Sequence, residues 1–178
     1  MAQPTDAAEV RPVTVRDPEV IALIEALDSD LAESEYTENE SFGYSTHELK
    51  SGSVHLVGAS VGDRLVGIGG IELQDGGFAE LKRFYVAPGL RGHGLADAIL
   101  DALERHARDH GAVVLRLETG DRQKAAISFY RRRGFQVVPR FGPYVDSEAS
   151  VCMQRDLLSQ RGTLTTDTAE RNSNLPLP

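Results

Sequence analysis

Three glycines, Gly89, Gly92 and Gly94, crowd a short stretch that also carries Arg91 and runs into a long apolar-periodic segment. Free backbone amides at a helix start, with the positive end of the helix dipole, make an anion site. Glycine there lets a phosphate approach the main chain closely, where a Cβ would block it. Arg91 adds a cation at the same turn. Further along stand Tyr130, in a second helical pattern, and two carboxylates at strand positions, Glu80 and Glu118. A phenol and a carboxylate are both groups that can give or take a proton. Each has a structural alternative: Tyr130 as a core aromatic, Glu80 as the ion-pair partner of Lys82, Glu118 as a strand-end charge.

Other chemistries find less support. No Gly-Lys-Ser/Thr occurs, so the turn is not a P-loop. The dinucleotide fingerprint would require glycine at position 97, where Asp97 stands. His106 and His110 have the spacing of a zinc pair, but Ala107, Arg108 and Asp109 separate them and no third ligand is evident, so no metal is expected. Cys152 is the one cysteine, which excludes an intramolecular disulfide and suits a small buried residue. The run Arg131-Arg132-Arg133 reads as a solvated helix face.

The elements that must position these residues alternate between helix and strand. Val10–Val15 alternates apolar and polar as a half-buried strand does. Asp17-Pro18 then opens a helix with Val20, Ile21, Leu23, Ile24, Leu27 and Leu31 on its buried side. Residues 33–50 are acidic and interrupted by Gly43, which suits a loop and a short helix. Val54–Ala59 and Arg64–Leu73 form strands joined by a Gly-Asp turn, and Ala79–Val86 is a further strand. Strict alternation along it puts Glu80, Lys82, Phe84 and Val86 on one side and Leu81, Arg83 and Tyr85 on the other. A helix spans about Arg91 to His110, with Gly111 after it. Val113–Leu117 is a short central strand, Lys124–Arg132 a helix, and Phe135–Val138 and Ser150–Arg155 the last strands. The fold class is therefore mixed α/β around one sheet.

The 178 residues suit one domain over 9–158, between a flexible N-terminus (1–8) and a polar tail (159–178) expected to be disordered. Acidic residues number 27 and basic ones 19, giving a net charge of −8. That balance argues against nucleic acid as a partner. No apolar run long enough for a membrane span and no secretion signal appear, so a cytoplasmic protein is expected. Charge is unevenly spread: residues 1–60 carry twelve acids against three bases, and residues 91–140 ten bases against six acids. An acidic flank beside a basic centre can hold a cationic substrate beside an anionic cofactor.

The turn Arg91-Gly92-His93-Gly94-Leu95-Ala96 resembles the R/Q-x-x-G-x-G/A signature of the GNAT superfamily of acyl-CoA-dependent N-acyltransferases. Gln123-Lys124-Ala125-Ala126-Ile127-Ser128-Phe129-Tyr130, followed by Gly134-Phe135, resembles the later motif of the same family. Gln123 replaces the usual asparagine; its amide can make a similar contact at longer reach. The resemblance covers roughly residues 9–157. It implies a single domain with about four helices around a mixed, mostly antiparallel sheet splayed between two parallel strands, 79–86 and 113–118. It also implies acetyl-CoA as co-substrate, no metal, and direct attack of an amine on the thioester through a tetrahedral intermediate. By that resemblance the backbone of Phe84, Tyr85 and Val86 bonds the pantetheine arm, and an N–H near Tyr85 serves as oxyanion donor. The amides of Arg91 to Ala96 take the pyrophosphate, while Gln123, Ala126, Phe129 and Tyr130 line the arm. Tyr130 falls at the general-acid position and Glu80 at a candidate base position.

The acceptor is expected to be a small-molecule amine of cationic character. Asp28, Asp30, Glu33, Glu35, Glu38 and Glu40 make residues 28–48 anionic, and Tyr36, Phe42, Tyr44 and Tyr144 supply apolar walls. Acetylation of a protein N-terminus or lysine, and a non-catalytic acyl-CoA sensor, are the competing functions. A homodimer through the last strand is left open.

Overall fold

The computed structural model describes residues 8–33, Leu49 and 52–158. Apart from Ala8, Glu33 and Leu49, the terminal segments 1–8 and 159–178 and the acidic loop 33–50 lie outside those residues, as do the aromatic walls Tyr36, Phe42 and Tyr44. Seven strands form one sheet: β1 (Glu9–Val13), β2 (Val54–Val61), β3 (Arg64–Gln74), β4 (Phe78–Val86), β5 (Val114–Gly120), β6 (Gln136–Val137) and β7 (Ser150–Asp156). Their order is β1-β2-β3-β4-β5-β7-β6, and every neighbouring pair is antiparallel except β4 and β5.

Three α-helices lie wholly among the described residues, α1 (Pro18–Ala32), α2 (Leu95–Asp109) and α3 (Lys124–Arg132). The short helix expected within 33–50 falls outside them apart from Leu49, which is helical. Helix α1 begins as its sequence dictates, with the Asp17 side chain accepting from the Glu19 amide at 2.9 Å and Pro18 in the first turn. Its Val20 and Ile24 pack with Leu56, Ile68 and Tyr85 on one face of the sheet. Helix α2 covers the other face with Leu95, Ile99, Leu100, Leu103 and Ala107, beside Leu81, Leu115 and Tyr130.

Close packing of α2 depends on Gly69 in β3. A Cβ there would lie 2.6 Å from Ile99 Cγ2 and 2.9 Å from Leu103 Cδ1, so the helix could not sit where it does. The α2 start falls later than its sequence pattern suggests. Gly92 and Gly94 both have left-handed backbones (φ 83° and 82°), so the right-handed helix opens only at Leu95.

Candidate active site

The parallel pair β4–β5 is short. Phe78, Ala79 and Glu80 are in register with Val114, Leu115 and Arg116, and there the pairing ends. Beyond it Leu81–Val86 pair only with β3, and Leu117–Gly120 only with β7. The sequence expectation of two parting parallel strands holds. A parted pair leaves backbone donors and acceptors along both inner edges, available to an extended ligand.

The turn at Gly92–Gly94 adjoins the end of β4 at the open end of this cleft. Gly94 caps α2 with no side-chain hydrogen bond, so no side chain takes the first amides of the helix. A Cβ built at Gly89, Gly92 or Gly94 would meet nothing within 4 Å, so the turn faces open space. These features fit an anionic group held by main-chain N–H. The Arg91 side chain goes elsewhere. Its Nε donates to the Val86 carbonyl at 2.8 Å and its Nη2 to Asp30 Oδ2 at 2.8 Å, while the guanidinium lies 5.5 Å from the Tyr85 ring centroid. The Arg91 side chain thus bonds β4 and α1 while remaining half exposed beside the turn. His93 bonds back to the Arg91 carbonyl through Nδ1 at 3.0 Å.

One correction concerns the faces of β4. Lys82 is in register with Gly70 and Tyr85 with Ile68, so Arg83 and Phe84 together oppose Gly69. This β-bulge gives Arg83 a φ of 52° and reverses the alternation after it. Glu80 and Lys82 therefore share their face with Tyr85, whereas Phe84 and Val86 turn toward α2. The strict alternation expected from sequence fails at that residue.

Phe84 on the α2 side meets the aromatic end of α3: its ring centroid lies 6.0 Å from Tyr130 and 5.9 Å from Phe129. Tyr130 is 6% exposed and packs edge-on to Phe135 at 5.5 Å. Burial pushes its phenol well above the usual tyrosine value, so the proton stays on. Ala126 and Phe129 lie partly buried against the same core, and Gln123 is the residue before α3.

The opposite face of the cleft holds a chain of polar side chains. Glu80 is 3% exposed, and three donors hold its carboxylate. Lys82 Nζ and the Tyr144 hydroxyl donate to Oε1 at 2.7 and 2.6 Å, and Gln74 Nε2 donates to Oε2 at 2.8 Å. The ion-pair alternative for Glu80 and Lys82 is thus present. Glu118 is more open: Ser150 Oγ donates to its Oε1 at 2.7 Å, and its Oε2 has no partner among the described residues. Burial raises the Glu118 carboxyl above the ordinary value; the Ser150 hydroxyl pulls against this, and the charge of Glu80 adds to it. Cys152, in register with Glu118, is buried with its thiol raised, chiefly by that burial, so it is no ready nucleophile.

The acidic field around α1 is partly neutralised. Asp28 pairs with Arg83 and Asp30 with Arg91. Residue types alone also missed a buried cluster on the far side of α2, where Glu104 meets Arg108 and Arg155, with Arg133 within 3.7 Å. Arg133 also reaches Asp97 and Asp101, so one member of the arginine run is structural, while Arg131 and Arg132 are exposed. The i,i+4 spacing of Glu104 and Arg108 was the one available signal. His106 and His110 stand in a stack of three imidazole rings. His55 stacks on His106 at 3.8 Å with rings 1° apart, and His110 stacks on His106 at 4.1 Å. No group of three metal-ligating side chains occurs among the described residues. Nor is any helix there long and apolar enough to cross a membrane.

A mixed sheet parted between two parallel strands, beside a glycine-opened helix start, is the arrangement that the resemblance to acyl-CoA-dependent N-acyltransferases implies. The chain belongs to the Acetyltransferase (GNAT) family, whose model matches residues 20–135. It is 33% identical over 139 residues to the IAA acetyltransferase of Azospirillum brasilense, covering 78% of this chain and 90% of that protein. A crystal structure from Klebsiella pneumoniae, assigned as an acyl-CoA N-acyltransferase, is 34% identical with a TM-score of 0.72, over 85% of this chain and 99% of the other. The PaiA N-acetyltransferase of Thermoplasma acidophilum, solved with coenzyme A, shares the fold at 21% identity and a TM-score of 0.69, over 84% and 99% of the two chains. The protein is an N-acetyltransferase of this family.

Proposed function

We propose that this enzyme moves an acetyl group from acetyl-CoA to the primary amine of a small molecule, by direct attack of the amine on the thioester carbonyl. The observation carrying this reading is the parting of β4 and β5 after Glu80 and Arg116, next to a helix start with no side-chain cap. Acetyl-CoA supplies the activated acetyl group. The amides of Gly92 to Ala96 hold its pyrophosphate, and the inner edge of Phe84–Val86 bonds the pantetheine amides. An N–H near Tyr85 supports the developing oxyanion. Tyr130, kept protonated by its burial, gives its proton to the leaving thiolate. Of the two acceptor-face carboxylates, Glu118 keeps an open oxygen and takes the proton of the attacking ammonium, while Glu80 fixes Lys82 and Tyr144 around it. A small acceptor is supported by the relative named for IAA.

The test is calorimetric titration with acetyl-CoA and CoA, followed by thiol release across an amine panel. Micromolar binding is expected, lost in Gly94→Glu with the fold retained by circular dichroism, because that change puts bulk and negative charge on the amide turn. No binding at millimolar acetyl-CoA overturns the reading.

A further inference from the structure

Among the described arginines, Arg116 has an unusual set of partners. Arg83, Arg91, Arg108, Arg133 and Arg155 each meet a carboxylate. Arg116 is partly buried on β5 and meets none among the described residues. Its Nε donates to Gln74 Oε1 at 3.0 Å, and Nη2 donates to the same oxygen. Its guanidinium carbon lies 4.6 Å from the Phe78 ring centroid and 4.1 Å from that of Phe141. Two rings and one amide fix the plane of the cation; Gln74 links it to Glu80, but no carboxylate among the described residues pairs with it directly. Nη1 has no partner among the described residues.

A partly buried cation with no directly paired carboxylate favours an anionic partner, and a fixed guanidinium fork matches a carboxylate in two parallel hydrogen bonds. Gln74 is suited to this arrangement. A carboxylate in its place would neutralise Arg116 internally, whereas the neutral amide orients the fork and leaves the charge to a ligand. Arg116 is in register with Glu80 where the strands part, and Glu118 follows two residues later on the same face. Strand geometry separates positions 116 and 118 by about 7 Å along β5. A cation and an open carboxylate thus stand side by side along the acceptor face of the cleft.

We infer that the acceptor is an amino carboxylate, with its ammonium at Glu118 and its carboxylate on the edge of the Arg116 guanidinium that Gln74 leaves open. The assignment rests on the transferase reading above for the place of the amine. The cationic character expected of the acceptor then belongs to its reacting amine, and the molecule as a whole is a zwitterion.

The test pairs amino carboxylates with the amines that lack the carboxylate: β-alanine with ethylamine, γ-aminobutyrate with propylamine, δ-aminovalerate with butylamine. Each is titrated calorimetrically into CoA-loaded protein, and thiol release from acetyl-CoA is followed in parallel. At least one carboxylated member binds roughly tenfold to a hundredfold tighter than its matched amine, the range of a charge-assisted pair. In Arg116→Gln the ratio collapses towards one. In Arg116→Lys, which keeps the charge but loses the planar fork, it falls part of the way and so decides the matter even if the glutamine variant does not fold. A ratio near one in the wild type, a ratio unchanged in the folded variants, or no binding by any member overturns the inference. Tight carboxylate binding without thiol release removes the transferase reading and leaves the Arg116 assignment standing. Equal transfer to carboxylated and plain amines does the reverse.

Discussion

The Tyr144 hydroxyl donates to Glu80 Oε1 across 2.6 Å, joining residues 64 apart in sequence. The same oxygen receives Lys82 Nζ, so a loop tyrosine and a strand lysine share one carboxylate oxygen on the face of the cleft opposite Phe84. This arrangement fixes the loop before β7 to the cleft floor. Glu80→Ala leaves Lys82 buried beside a lost counter-charge and is expected to cost about 3–5 kcal/mol. Tyr144→Phe removes one hydrogen bond to a charged group, a loss of about 1.5–3 kcal/mol. Chemical denaturation of both variants checks the order, and equal small losses would show that the pair is not held in the folded state.

Tyr130 separates binding from chemistry. Tyr130→Phe keeps the aromatic packing against Phe84, Phe129 and Phe135 and removes only the hydroxyl. Acetyl-CoA affinity is expected to stay within a few-fold, while turnover falls on the order of 10²–10⁴. Because burial raises the phenol, no loss of activity from its ionisation should appear below pH 10. Unchanged turnover in the variant would remove the acid role.

As the proposed base, Glu118 is expected to set the acidic limb of the rate profile. A base must be unprotonated to act, so activity rises with pH through its carboxyl, whose value burial has raised. The limb should lie above the ordinary carboxylate range and vanish in Glu118→Gln, with low residual turnover. The sign for stability is opposite. A raised carboxyl favours the protonated folded state, so its contribution is present at low pH and is lost as pH rises through the folded value. At neutral pH Glu118→Gln is therefore expected to unfold at a slightly higher temperature than the wild type.

The histidine stack predicts acid sensitivity. Burial lowers both His55 and His106 below 6.5, and their neighbouring histidines lower them further. The unfolded chain then binds protons first, so stability falls as pH drops through about 6.5 and below. Asp109 opposes this at His106 without reversing it. Melting temperatures from pH 7.5 to 5 should decline more steeply in the wild type than in His55→Gln. A parallel decline in both would assign the loss to other groups.

Much of the fold was legible because its signals are local. Asp17-Pro18 caps and starts α1, and the apolar stripe of Leu95, Ile99 and Leu103 can face only a core. Gly92 and Gly94 need left-handed backbones, and that need is visible in residue type alone. The bulge at Arg83 left no such mark. An extra residue in one strand exists only relative to the register of its partner, here against Gly69, and the partner is chosen by the whole sheet. The fate of Arg91 was hidden for a similar reason, because Asp30 reaches it from a helix some sixty residues away in the chain.

What the sequence by itself determined is the family, the glycine-rich turn before α2 and the identity of the buried tyrosine, because motifs and periodicities are properties of neighbours along the chain. Tertiary structure alone decided which side chains face the cleft. It turned Phe84 away from Glu80 and saturated Glu80 with three donors. It also left an oxygen of Glu118 open and held the charge of Arg116 against two rings. Charge and hydrogen-bond satisfaction depend on distance in space, and residues such as Gln74, Arg116 and Tyr144 come within reach of one another only once the sheet has closed.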